Sequence, residues 1–178
     1  MKRQFWFIIS DMKKYLSNIL IYVAALLGIV AFIALFATPL QSFNEIKGTW
    51  SAYNVKAYLG EKSSTGVQIY NGSFIPAVGF IIPFLMAIFL IIESFKPELN
   101  TRLAIINTMF AIFFFVSAVL VLLTKEMFLA VNDLGQTDYI RNGAGPISSA
   151  ICSGAAGVIL LIVTWVPSRK KIDFIEKV

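Results

Sequence analysis

The residues in this chain that could do chemistry are few. It contains no histidine, so the commonest metal ligand and the usual general base near neutral pH are missing. Its single cysteine, Cys152, lies inside an apolar run and can form no intrachain disulfide. No serine or cysteine nucleophile therefore has a histidine to activate it. A phosphate loop of the GxxxxGK[ST] type does not occur. Glu126, Asp133 and Asp138 could gather as an acid and base pair, yet any solvated loop carries such residues. Glu93 stands at the end of an apolar run, where water can reach it. The expectation is a protein that is not an enzyme, with no cofactor and no metal.

Other patterns suit contact better than reaction. Ser149, Ser153 and Gly157 recur at spacing four, and so do Ala150 and Gly154. Such rows let helix backbones approach closely. They could pack within the chain's own bundle, against Ala24, Gly28 and Ala31, or against another subunit, or line a pore. Pro83, four residues after Gly79, removes a helical hydrogen bond and predicts a kink. Asn107, Thr108 and Ser117 are the main polar side chains of the third apolar run; they are expected to bond locally or to a neighbouring helix. Gly143-Ala144-Gly145-Pro146 reads as a turn before the fourth run, with a substrate-contacting loop as the alternative. Asn71-Gly72-Ser73 matches a glycosylation sequon but abuts the second run, and reads as a turn.

These residues must be positioned by elements that the composition defines. Of 178 residues, 58% are hydrophobic and 14% charged, and mean hydropathy is +0.79. Soluble domains carry roughly 25% charge, so a bilayer is the expected solvent. Four apolar runs, 16–36, 74–92, 103–123 and 147–166, contain no Asp, Glu, Lys or Arg. Each is close to the ~20 helical residues that span hydrocarbon, and in lipid the backbone must satisfy its own hydrogen bonds. The predicted fold is an all-α membrane protein: a four-transmembrane-helix bundle with a small extracellular β-hairpin in the first external loop. It is a single integral membrane domain. An interfacial helix (1–15) leads in, loops occupy 37–73, 93–102 and 124–146, and a basic tail (167–178) follows.

Ten Lys and Arg lie in the two tails and the 93–102 connection, against five in the other two loops. The positive-inside bias places both termini in the cytoplasm, at a plasma membrane. The clustered cations at the chain ends read as contacts with anionic lipid, not with nucleic acid. The first run is too long for a signal-peptide core and no A-x-A site follows it. Phe5, Ile8, Ile9 and Met12 before it have helical spacing, which suits a helix lying in the interface.

In the first external loop, Trp50 to Leu59 is rich in aromatic and β-branched residues, and Val67 to Tyr70 follows a glycine-bounded turn. The pair reads as a hairpin, with Trp50, Tyr53 and Tyr58 as an external interaction face. Met127, Ala130, Val131 and Leu134 extend the third helix outward as the surface on which it packs. This layout resembles the claudin-type four-span proteins. Gly48-Thr49-Trp50 is near that family's Gly-Leu-Trp, and Gln68-Ile69-Tyr70-Asn71 falls where a second strand should run. The family's paired loop cysteines are missing. The resemblance implies lateral assembly or partner binding through the external loops. The function expected is a non-enzymatic accessory or scaffold subunit, with a protein partner or homo-oligomer. A small channel or transporter subunit for a neutral or hydrophobic solute is the alternative, and a lipid-acting enzyme the third.

Overall fold

A computed structural model describes residues 2–44, 48–53, 55–66, 68–95, 100–132 and 140–165. In chain order the elements are α1 (Lys2–Ile33), β1 (Leu40–Asn44), β2 (Thr49–Ala52), α2 (Lys56–Leu59), β3 (Glu61–Lys62), β4 (Gln68–Tyr70), α3 (Phe74–Ser94), α4 (Asn100–Leu122), α5 (Thr124–Asn132), β5 (Ile140–Asn142) and α6 (Ala144–Trp165). The expected leader helix and first span run as one helix, α1. The basic tail, together with Lys96, Asp133, Leu134 and Asp138, lies outside the described residues.

Four segments are long and apolar enough to cross a bilayer: Leu16–Phe36, Phe74–Ser94, Ala104–Leu122 and Ala144–Thr164. Their outward faces are apolar as well; Leu26 is 60% exposed and Ile151 66%. A helix in water turns a polar face outward, so helices that are apolar all round fit a multi-pass membrane protein. The helices form a closed ring in which α1 packs on α3, α3 on α4, α4 on α6, and α6 back on α1. Each contributes a buried alanine to the centre (Ala24, Ala87, Ala111 and Ala156). These four small residues leave room for the fully buried Phe114 ring among them.

Local chemistry sets the helix ends. Proline disfavours helical backbone at the residue before it. Pro39 thus bars Thr38 from a helix, and the chain leaves α1 before that point: a 3-10 turn at Ala34–Phe36 follows the helix and Ala37 is extended, with φ −79° and ψ 173°. The fourth long helix begins at Ala144, earlier than the expected turn through Pro146 allows. Pro146 sits in the first helical turn, where its missing N–H would have no intrahelical partner in any case. The Gly143 and Gly145 N–H groups donate to the Pro39 and Thr38 carbonyls, both at 2.9 Å. Side chains at these two glycines would collide with the backbone at Thr38 and Ala34, so the motif is a docking point between two chain segments.

The sheet corrects the predicted hairpin. β1 is its centre, paired antiparallel with β2 on one side and with β5, from the second loop, on the other. The Trp50 segment therefore pairs with Leu40–Asn44, not with the segment ending at Tyr70. After Tyr53 the chain turns into α2. Its adjacent residues Ala57 and Tyr58 are both buried, which a one-sided strand cannot do because neighbours point to opposite faces. The Gln68–Tyr70 segment pairs only with the two-residue β3. The third-span extension also differs in its facing. α5 continues α4 across Leu123, with the Met127 N–H still reaching the Leu123 carbonyl at 2.9 Å. Its inward residues are Thr124 and Phe128, whereas Val131 is 43% exposed.

Candidate functional site

Among the described residues, polar and aromatic side chains gather on the outer face of the three-stranded sheet and in a polar node inside the bundle. On the sheet, alternation puts Gln41 and Phe43 of β1 on the outer face, while Leu40 is buried beneath. Register sets Trp50 opposite Phe43, with ring centroids 5.3 Å apart. It also sets Arg141 of β5 opposite Gln41, and the Arg141 Nε donates to Gln41 Oε1 at 2.9 Å. The guanidinium reaches across β1 to lie 3.9 Å from the centre of the Trp50 ring. Arg141 and Trp50 remain exposed. The result is a held platform: a cation stacked on an indole, flanked by Phe43.

Of the three residues expected on an external face, the structure leaves only Trp50 there. Tyr53 is half-buried beneath the sheet, 5.4 Å from the Phe128 ring. Tyr58 is 3% exposed and packs its ring edge on Phe80 at 5.7 Å. The turn into α2 breaks the alternation that would have kept the three aromatics together. Burial pushes the Tyr58 hydroxyl above its ordinary value of 10.0, and the Thr124 side chain beside it draws it back slightly.

The node inside the bundle starts from Pro83. In a regular helix the N–H at position 83 would bond the Gly79 carbonyl; proline has none. Ser117 of α4 replaces it, donating to the Gly79 carbonyl at 2.6 Å. Ser153 of α6 lies 3.3 Å from the Ser117 oxygen. A hydroxyl has one proton and that of Ser117 is used, so Ser153 donates to Ser117. Gly28 completes the node from α1, since a Cβ there would stand 2.7 Å from the Pro83 carbonyl oxygen. Thr108, in contrast, bonds within its own helix, to the Ala104 carbonyl at 2.9 Å.

Ser149, Ser153 and Gly157 all face this interior. A Cβ at Gly157 would meet the Phe115 ring at 3.0 Å. These residues hold the chain's own helices, as does the buried Ala24, and present no surface to a second subunit. The second row does not make a close approach. Gly154 has open space where a Cβ would be, and Ala150 is half-buried. Neither family models, nor curated proteins, nor solved structures contain a match to this chain. Function must be argued from these residues.

Sequence reasoning missed Gln41, Phe43 and Arg141, because strand pairing between two separate loops brings them to Trp50. It also missed two asparagine clamps. Asn142 of β5 donates to the Leu122 carbonyl at 2.7 Å and accepts from the Lys125 N–H at 3.0 Å, which bridges the α4–α5 joint. Asn132 accepts from the Asn71 N–H at 2.6 Å and donates to the Asn71 carbonyl at 3.0 Å. The Asn71 side chain in turn donates to the Val131 carbonyl at 3.3 Å.

Proposed function

We propose that this is a non-enzymatic multi-pass membrane protein that works by interaction, as an accessory or scaffold subunit whose contact surface is the outer face of the β2-β1-β5 sheet. The observation that carries the reading is the Arg141–Trp50 stack. Arginine and tryptophan are among the residue types that dominate binding energy at interfaces. Here both are held in place before any partner arrives, which lowers the entropy lost on binding. The partner would present a carboxylate to the guanidinium beside an apolar group for Trp50 and Phe43.

The charge bias between loops supports an orientation with the sheet outside the cell and both termini in the cytoplasm of a plasma-membrane protein. The claudin-type resemblance supports the same kind of role, lateral assembly through external loops. The burial of Ser149, Ser153 and Gly157 argues that such assembly runs through the sheet and not through the small-residue rows. The test is quantitative co-purification from native membranes. Trp50→Ala and Arg141→Ala should each deplete the same co-purifying protein while the variants keep wild-type thermal stability. Undiminished recovery of that protein would refute the reading.

The alternative is a small channel or transporter subunit for a neutral solute, favoured by the hydroxyls of Ser117 and Ser153 inside the bundle. Solute flux into liposomes holding only the purified protein would promote it.

A further inference from the structure

The β2 strand leaves one edge of the three-stranded sheet open. The Tyr53 N–H donates to the Leu40 carbonyl at 2.9 Å, and the register runs on through Ser51 opposite Ser42 and Thr49 opposite Asn44. Bonded pairs alternate along an antiparallel ladder, so Thr49 and Ser51 turn their backbone groups toward β1. Trp50 and Ala52 turn theirs the other way. Among the described residues no strand pairs with that edge, and all of β2 is exposed. Exposed edges are commonly blunted by lysine, proline or a bulge. β2 is Thr-Trp-Ser-Ala in unbroken register and carries none of these. The opposite edge of the sheet differs: on β5, Ile140 is 6% exposed and the chain turns at once into α6.

We propose that β2 takes up a fourth strand, an extended segment of a partner protein whose alternate side chains include a carboxylate. This rests on the interaction role proposed above and names its mode. A strand laid along β2 bonds the N–H and carbonyl groups of both Trp50 and Ala52. Its alternate side chains then lie on the outer face beside those two, where the Arg141 guanidinium covers the Trp50 ring. The groups that cation meets, the Gln41 amide and the indole, are neutral, and a guanidinium carries further donors. A carboxylate on the incoming strand engages them as a charge-assisted pair. The backbone bonds available on so short a strand are few, so this pair supplies the specificity. A second copy of the chain fits less well. Its β2 has no acid to offer, and the pairing would bring a second Arg141 to the same face as a like charge.

The probe is a short synthetic peptide with a Val-Thr-Glu-Thr-Val centre, added at saturation to the full chain in nanodiscs. It should slow amide exchange at Trp50 and Ala52 by about tenfold, and leave Thr49 and Ser51, already bonded to β1, unchanged. Lysine in place of the glutamate, or Arg141→Ala in the protein, should weaken binding about tenfold. The peptide N-methylated at alternate residues should not bind, because strand addition needs its N–H groups. In the co-purification assay, Ala52→Pro removes an outward N–H that β1 does not use, and should deplete the same protein as Trp50→Ala. Depletion by Trp50→Ala and Arg141→Ala but not by Ala52→Pro would overturn strand addition and leave the interaction role standing. Undiminished recovery in all three variants would remove both. The peptide arms use the wild-type chain, so they decide the matter even where proline disturbs β2. No protection at Trp50 and Ala52, protection spread evenly along β2, or equal binding of the N-methylated peptide would each overturn the proposal.

Discussion

A proline inside a buried helix leaves one carbonyl without its usual donor, and in hydrocarbon no solvent takes its place. Ser117 meets that need for the Gly79 carbonyl. Removing it should destabilise the bundle by about 1 kcal/mol, within the range seen for hydrogen bonds between membrane helices. The mechanism is separable from loss of packing. Pro83→Ala restores an N–H to the Gly79 carbonyl, so Ser117→Ala should cost measurably less in that background when unfolding is followed in mixed micelles. An equal cost in both backgrounds would mean that Ser117 acts otherwise. The glycines of α6 differ by the space around them. Gly157→Ala should lower stability, because its Cβ would press on Phe115. Gly154→Ala meets open space and should be neutral or gain up to ~1 kcal/mol from helix propensity. Thermal melts of the two variants make the comparison. Tyr58 adds a pH dependence. Its folded value is raised above the ordinary 10.0, so stability is intact below that pH. Above it the unfolded chain ionises first, and stability falls as pH rises further. Tyr58→Phe should lose less stability than wild type over that alkaline window.

At the scale of elements, α5 and the strands are the parts that tertiary contacts must hold. α5 has nine residues, too few to be stable alone in water. Its N-terminal end is held by Asn142, its C-terminal end by Asn132 with Asn71, and its middle by Phe128 under the sheet. Asn142→Ala removes two of these bonds at once. Amide exchange in Thr124–Asn132 should then quicken roughly fivefold, the effect of losing about 1 kcal/mol, while exchange in α6 stays unchanged. Faster exchange throughout would show that Asn142 supports the whole bundle. The strands are held in the same way: β1 is joined to β5 across a long stretch of chain, and Leu40 and Ile140 share one buried cluster with Phe128.

For the whole molecule, the ring of four helices puts the β-sheet at one end and the C-terminus of α3 with the N-terminus of α4 at the other. The proposed orientation puts the sheet end outside the cell, and cysteine labelling tests it. In a Cys152→Ala background, Ser64→Cys should react with an impermeant maleimide on intact cells. Asn100→Cys should react only after the membrane is opened. The reverse pattern would invert the orientation and place the Trp50–Arg141 face in the cytoplasm.

The four long helices could be read directly from the residues, since length and the lack of charge leave lipid-embedded backbone no other way to bond itself. The break in hydrogen bonding at Pro83 was equally plain, whereas the spacing of Ser153 and Gly157 left open packing within the bundle, contact with a second subunit and a pore lining. Spacing along one chain could not say what would answer the break. Ser117 is far from Gly79 in sequence and meets it only because α3 and α4 lie side by side. The loops were misread for a related reason. Short strands draw little preference from their own residues and take their partners from whatever lies alongside. The position of Leu40–Asn44 between two loops decided the sheet, buried Tyr58, and brought Arg141 onto Trp50.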